Sequence, residues 1–246
     1  MVLLIFSEMI NSNEKGAQVL GQPPKHLGLP ADPSAYLKSV ARRMGFFDQM
    51  ADPEIQRRIK QTLGAGLAAA RVSMISKAAN LIESDAHKIV ADGLVINSAR
   101  WAALIKYMQP PVRIAAFAAT LGRNLDQPSQ ATGLFDAYVL DCMGAELAER
   151  LGDKLEREIS GQFLNKGLAC SRRFSPGYCD WRLDIGQASV FEFLKPESID
   201  ITRLPTGAMI PEKSMTAVLI AAKTLYYQTP CPLCRQTDCP YRREGS

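Results

Sequence analysis

The sequence has no long run of lysine and arginine and no apolar run long enough to cross a membrane. Its 29 basic and 25 acidic residues leave a formal net charge of +4 over 246 residues, so nucleic acid is not predicted as a partner. The apolar start, MVLLIFSEMI, is too short for a membrane span and has neither a basic region nor a small-residue cleavage site. We therefore expect a cytoplasmic protein with no membrane partner. Its residues 1–10 are expected to form a buried strand or a first helical turn.

The composition is that of a globular domain with a substantial core. Apolar residues make up 47% of the chain and charged residues 22%, which excludes a wholly disordered protein. In a cytoplasmic chain the six cysteines are expected to be reduced thiols or metal ligands rather than disulfides.

Two Asp-Pro pairs predict the starts of helices. In each pair the aspartate is the expected N-cap and the proline occupies the first helical position: Asp32 before Pro33, and Asp52 before Pro53. Apolar residues spaced by four from Ile55 onward predict that the second helix runs into the seventies.

The remaining segments show strand and helix patterns without a regular β-α-β order. HKIVADGLVI predicts a hairpin with Asp92 and Gly93 in a type I′ turn, and VRIAAFAATLG, IDITRL and MTAVLIAAK predict strands. Ser98 is the expected cap of a helix in SARWAALIKYM, and further helices are predicted over 129–158 and in DIGQASVFEFL. We predict an α+β fold with a mostly antiparallel twisted sheet packed with helices.

The segment RRFSPGYCDW, residues 172–181, combines cations, a tight turn and aromatic residues. Pro176 and Gly177 favour a turn in which the glycine permits a positive φ and lets a ligand approach the backbone closely. Arg173 offers a two-pronged fork for a carboxylate, and Tyr178 offers a flat face and a hydroxyl group. This combination suits a small zwitterion that carries a planar base. A surface turn with an ordinary ion pair is the alternative.

The same segment resembles the R-x-x-x-G-Y signature of the activation domain of cobalamin-dependent methionine synthase. Arg173, Gly177 and Tyr178 occupy the signature positions. Three further segments are similar to stand-alone relatives of that domain, in the same order along the chain: FAATLGRNLD, YVLDCMGAELAERL and AMIPEKS. The resemblance extends over residues 85–225.

The resemblance implies the fold of that domain, binding of S-adenosylmethionine, and support for the reductive methylation of cobalamin after its accidental oxidation. It implies that Arg173 binds the carboxylate of S-adenosylmethionine and that a helix glutamate meets the positively charged end. Glu146 is the best match for this glutamate, and Glu149 is the competing position. The implied cofactor-binding residues are Arg173, Ser175, Gly177, Tyr178 and Glu146.

The resemblance also divides the chain and implies a partner. It predicts an N-terminal arm and helices over 1–84 that pack on the main domain, an activation-domain-like core over 85–228, and a cysteine-rich tail over 229–246. The chain has no Asp-x-His-x-x-Gly pattern of a cobalamin-binding segment, and its only histidines are His26 and His87. We therefore expect it to act on cobalamin held by a corrinoid-binding methyltransferase subunit similar to methionine synthase.

The tail sequence CPLCRQTDCPYRR places Cys231, Cys234 and Cys239 in a C-x2-C-x4-C pattern. Thiolates at this spacing can bind zinc or part of an iron–sulfur cluster. The tail lacks a fourth ligand, for which Cys170, Cys179 or an outside group are the candidates. A frayed terminus with reduced thiols is the alternative.

Three functions are compatible with these observations. The first is an accessory protein that binds S-adenosylmethionine and takes part in the reductive reactivation of a corrinoid methyltransferase. The second is an iron–sulfur redox activator of a corrinoid protein, because a cluster can supply a low-potential electron whereas zinc has no accessible redox step. The third is a non-catalytic interaction module on the same fold.

Overall fold

The computed structural model describes residues 18–19, 29–46, 52–126, 133–236, 238–239 and 242. Within these ranges the helices are α1 (Ser34–Arg43), α2 (Pro53–Ala69), α3 (Ala99–Ile105), α4 (Leu134–Leu164) and α5 (Leu183–Leu194). The strands are β1 (Gln18–Val19), β2 (Ser73–Ser84), β3 (Ile89–Ala91), β4 (Leu94–Ile96), β5 (Met108–Thr120), β6 (Ala169–Cys170), β7 (Thr202–Arg203), β8 (Met209–Ile210) and β9 (Ser214–Leu225). The strand or helical turn predicted for residues 1–10 lies outside the described residues.

The main sheet is antiparallel, with the strand order β4-β3-β2-β5-β9-β6 and with β1 paired to β2. Strands β7 and β8 form a separate two-stranded ladder. The predicted α+β class with a mostly antiparallel sheet is confirmed. The long pairing of β2 with β5 joins residues on both sides of position 84, so the 1–84 segment contributes a strand to the same sheet as the 85–228 segment.

The central strands β5 and β9 are covered on both faces, which explains their unbroken apolar sequences. Side chains alternate between the faces of a strand. Phe117 and Leu219 therefore point into a layer that contains α1, α2 and α4. Ile114 and Ile220 point the other way, into a layer formed by α3, α5 and the β3–β4 hairpin. The sheet thus lies between two apolar layers.

Two helix starts follow the predicted capping residues, whereas α1 begins one residue later than predicted, at Ser34, with Pro33 as its N-cap. The side chain of Asp52 accepts a hydrogen bond from the Glu54 N–H at 2.8 Å, and Ser98 accepts one from the Trp101 N–H at 3.1 Å. Helix α4 occupies the region predicted as the longest helix and continues to Leu164. No helix within the described ranges combines the length and the apolar character that crossing a membrane requires.

Three local predictions were wrong in detail. Helix α2 ends at Ala69, and the following residues form β2, whose Ala78 and Ala79 bury opposite faces of the sheet. In the β3–β4 hairpin only Gly93 has a positive φ, of +80°, so the turn is not type I′, which needs a positive φ at both central residues. The segment IDITRL forms only the two-residue strand β7.

Helices α2 and α4 approach closely at Gly66. A Cβ atom at this position would overlap Met143 Cε and lie 2.8 Å from Leu140 Cδ2. Both partners belong to α4 and are buried. The absence of a side chain at Gly66 therefore sets the distance between the two helices.

We expect Gly66→Ala to lower the free energy of unfolding by about 1–2 kcal/mol, because overpacking costs more than the helix propensity of alanine returns. Gly64→Ala is the matched control in the same helix. Its Cβ would lie 3.6 Å from Pro33 Cγ, an ordinary contact, so the free energy of unfolding should rise by about 0.5–1 kcal/mol. Urea unfolding of both variants measures the difference, and equal effects would contradict the close approach at Gly66.

Candidate functional site

A cavity of about 310 Å³ lies beside β9, where the two apolar layers and the C-terminal tail meet. Its walls come from the start of β9, the segment 173–179, helices α3, α4 and α5, and the tail from Thr229 onward. Aromatic and thioether groups of Trp101, Phe174 and Met215 form much of the lining. An apolar cavity with a few polar groups is the usual form of a small-molecule site.

Phe174 fixes the segment 172–181 to the sheet. Its N–H and carbonyl groups exchange hydrogen bonds with Val218 at 3.0 and 2.8 Å, so it continues the edge of the sheet beyond β6. Its ring stacks on Trp101, with the ring centres 3.5 Å apart, and lies 5.6 Å from the ring of Trp181. Two of the aromatic residues in this segment are therefore part of the core.

The Pro-Gly turn is fastened to the start of α3. Asp180 accepts hydrogen bonds from Ser98 Oγ at 2.5 Å and from the Arg100 N–H at 3.2 Å. Gly177 has a φ of +95°, and its N–H donates to the Trp181 carbonyl at 2.7 Å. With both ends held, the turn leaves Tyr178 partly exposed at the mouth of the cavity.

Arg173 lies in the cavity wall and binds three carboxylates of α4. Its guanidinium donates to Glu149 at 2.7 Å, to Asp153 at 2.5 Å and to Glu156 at 3.0 Å, and its side chain is 8% exposed. Burial acts to lower the pKa of Arg173, but the hydrogen bonds and charges of these carboxylates outweigh it, so the pKa is raised. Arg172, nearly half exposed, binds Glu156 as well.

Sequence reasoning missed this carboxylate group. Glu149, Asp153 and Glu156 follow one another at spacings of four and three, which places them on one face of a helix. That spacing was readable in the sequence. The arginine that binds them lies 17 to 24 residues further along the chain, and nothing in the sequence pairs it with them.

The structure brings most of the predicted cofactor-binding residues together. Arg173, Ser175 and Tyr178 line the cavity, and Gly177 lies in the turn between them. Ser175 also donates from its hydroxyl group to the Thr216 carbonyl at 2.6 Å. The lining also contains a polar pair that was not predicted. The Thr216 hydroxyl group donates a hydrogen bond to the side-chain oxygen of Gln187 at 2.9 Å.

Glu146 lies elsewhere, against α1. Its carboxylate accepts hydrogen bonds from Arg43 at 2.9 Å and Arg150 at 2.8 Å. Glu149, the competing position three residues later, lines the cavity instead. Burial acts to raise the pKa of Glu146. The hydrogen bonds from Arg150 and Arg43 act more strongly in the opposite direction, so the pKa of this carboxyl group is lowered.

The three tail cysteines also line the cavity, together with Cys179. Cys170 does not line it; it lies in β6, where burial raises the pKa of its thiol to about 11. Across the part of the chain that is described, no three histidine, cysteine, aspartate or glutamate side chains surround one point as a preformed metal centre would require. The tail thiols therefore share a cavity without forming a closed ligand set.

We expect Arg173→Ala to lower the free energy of unfolding by about 3 kcal/mol, because it leaves the buried Glu156 with only Arg172 and removes the link between the loop and α4. Arg172→Ala, at a position half exposed to solvent, should cost about 1 kcal/mol or less. Pairing Arg173→Met with Glu156→Gln should restore part of the loss. An unchanged urea midpoint for Arg173→Ala would show that the binding of Arg173 to the three carboxylates contributes nothing to stability.

The structural role of Glu146 predicts a pH dependence. Because its pKa is lowered in the folded chain, its stabilising effect is present above the ordinary value of 4.5 and is lost as the pH falls through the folded-state pKa. Glu146→Gln should therefore cost about 1 kcal/mol at neutral pH and little near pH 3. Thermal melts at both pH values measure the effect; a cost that does not depend on pH would refute this account.

Comparison with solved structures identifies a domain that has the same fold. The crystal structure of the MetH reactivation domain bound to AdoHcy aligns with 88% of this chain and 81% of its own, with a TM-score of 0.59 and 12% sequence identity. No protein-family model matches the chain, and no curated protein matches it. The predicted resemblance is confirmed at the level of the fold: the chain has the fold of the MetH reactivation domain.

Proposed function

We propose that this chain binds S-adenosylmethionine in the cavity beside β9 and takes part in the reductive reactivation of a corrinoid methyltransferase such as methionine synthase. The observation that carries the proposal is the shared fold with a reactivation domain whose structure contains AdoHcy. AdoHcy lacks the methyl group of S-adenosylmethionine and, with it, the positive charge on sulfur. A site for one is therefore of about the right size for the other.

The lining of the cavity supports this ligand class. A volume of about 310 Å³ lies at the lower end of the range for small-molecule sites. The ring of Tyr178, 44% exposed, offers a flat surface for an adenine ring, whereas the stacked rings of Trp101 and Phe174 are buried. Base–aromatic stacking contributes about 1–3 kcal/mol per base. The polar pair of Thr216 and Gln187 offers hydrogen-bonding groups in the same cavity.

The carboxylate cluster around Arg173 offers one part of the wall to a cationic group, while Arg100 and Arg242 line other parts of it. The guanidinium groups of Arg172 and Arg173 face three carboxylates, so this cluster carries one formal negative charge in excess. Glu149 is its member nearest to solvent, with 55% of its side chain exposed. The resemblance implies that Arg173 binds the carboxylate of the ligand, but its guanidinium already binds three carboxylates of α4. We therefore assign to Glu149 the role of meeting the ammonium or sulfonium charge of the ligand, and to Arg173 the role of holding Glu149 in place.

In this role the ligand supplies the methyl group and a separate donor supplies the electron, both delivered to cobalamin on the partner. The residues of this chain position the ligand: Tyr178 stacks on its base and Glu149 faces its cation. Leu183 packs beside Gly177 of the turn, and Leu183, Ile185 and Leu204 are each 40–43% exposed. We propose these apolar side chains as the contact surface for the corrinoid protein, since exposed apolar groups mark interaction surfaces.

A second candidate function has its own supporting observation. The tail thiols line the same cavity that would receive S-adenosylmethionine, and an iron–sulfur centre there would place an electron donor beside the corrinoid partner. The visible absorption spectrum of protein purified without oxygen distinguishes this redox activator from a simple ligand-binding protein. A non-catalytic module on the same fold would bind neither ligand nor cluster.

We expect the chain to bind S-adenosylmethionine and S-adenosylhomocysteine, and Tyr178→Ala to weaken that binding about tenfold by removing a stacking surface. Tyr226→Ala is the matched control. Tyr226 is a 66% exposed tyrosine that does not line the cavity, so its removal should leave affinity unchanged. Calorimetric titration of the three proteins measures the effect.

A folded wild-type chain that binds neither compound would contradict the ligand assignment. Equal losses for Tyr178→Ala and Tyr226→Ala would also place the ligand outside this cavity. A separate measurement tests the partner: reactivation requires tighter binding to a corrinoid protein in its cob(II)alamin form than in its methylated form.

A further inference from the structure

Four cysteines from two distant parts of the chain line one cavity. Cys179 belongs to the turn after Tyr178, and the other three, Cys231, Cys234 and Cys239, belong to the tail. The two segments are separated by α5 and by strands β7 to β9 in the sequence. Their meeting is therefore a property of the tertiary structure.

The first two tail cysteines lie on a tight turn. Cys231 begins a short 3-10 turn, and the Cys234 N–H donates to the Cys231 carbonyl at 3.1 Å. The hydroxyl group of Thr229 accepts from the Cys231 N–H at 3.3 Å and shapes the approach to the turn. Two thiols separated by two residues are the usual half of a four-thiolate metal site.

Cys179 is held in an unusual conformation at the cavity. Its φ is +56°, in the left-handed region that non-glycine residues rarely occupy. Its neighbour Asp180 is tied to α3 by two hydrogen bonds, so the turn is rigid. The thiol of Cys179 lines the same cavity as that of Cys231.

Cys170 lacks these properties. It lies in β6, packs against the layer that contains α4, and does not line the cavity. Cys142 is buried within α4.

We propose that Cys179, Cys231, Cys234 and Cys239 together bind one metal centre through four thiolates, with Cys179 as the ligand that the tail lacks. Four thiolates suit Zn²⁺, Fe²⁺ or an iron–sulfur cluster. The metal would draw the thiols to one point and fasten the tail against the cavity. This inference does not depend on the proposed binding of S-adenosylmethionine.

The tail must shift toward Cys179 for the four thiols to meet at one metal. The Arg172 N–H donates to the Gln228 carbonyl at 2.9 Å, just before the tail. Within the tail, Arg242 donates to the Gln236 carbonyl at 2.8 Å. A shift of the thiols toward Cys179 breaks none of the β9 pairing, which ends at Leu225.

The test is metal titration of the reduced full-length chain after removal of metal with a chelator. Co²⁺ is the first probe, because thiolate ligands give it intense charge-transfer absorption, and Zn²⁺ displacement then gives the affinity for zinc. We expect one ion per chain and a rise in melting temperature on binding. A parallel reconstitution with iron and sulfide under argon decides between a single ion and a cluster.

Two variants test the assignment of Cys179. Cys179→Gly should weaken metal binding at least tenfold and abolish the metal-induced rise in melting temperature. The metal-free variant should melt at or above the temperature of the metal-free wild type, because glycine is favoured at a φ of +56°. Cys170→Ser is the matched control and should bind metal as the wild type does.

Three results would overturn the proposal. One is a wild-type chain that takes up neither a single ion nor a cluster. Another is Cys179→Gly with wild-type affinity. The third is an equal loss in Cys170→Ser. Titration of the metal-free chain with S-adenosylmethionine is a separate measurement. Failure of the metal proposal can therefore be distinguished from failure of the ligand proposal.

Discussion

The pairing of β5 with β9 under two apolar layers is the constraint on which the rest of the structure depends. Because each strand buries alternate residues on opposite faces, a shift of one residue in register would exchange the side chains of the two layers. The register from Ile114↔Ile220 to Thr120↔Ser214 is therefore strongly specified. The outer edge of β9 then accepts β6 and Phe174, and so places the Pro-Gly turn beside the cavity.

Within the segment 172–181, some residues anchor the loop to the core and their neighbours line the cavity. Phe174, Asp180 and Trp181 hold it to the core and to α3. Ser175 and Tyr178, between them, face the cavity. Arg173 belongs to both groups, because it lines the wall and fixes the loop to α4 through three carboxylates. Under the proposed function, its substitution would change both ligand affinity and stability.

The ligand and the metal proposed for this chain share a boundary. The cavity wall includes the tail thiols, so a metal that gathers them would also set the shape of the ligand site. The two proposed sites also share charged neighbours, because Glu149, Arg100 and Arg242 line the same cavity.

Local features of this protein were determined by the sequence alone. Short-range preferences and the burial pattern determine the helix start at Asp52, the Ser98 cap, the hairpin at Asp92-Gly93 and the apolar central strands. The motifs that resemble the family predicted the fold. Only the tertiary structure decided that Glu149 lines the cavity while Glu146 lies against α1. Both lie on one helix, and the sequence does not say which neighbour each of them meets. The tertiary structure also decided the three carboxylates bound to Arg173 and the approach of Cys179 to the tail. These contacts join residues far apart in sequence, and their proximity depends on the register of β9 and the packing of α4, which no local pattern encodes.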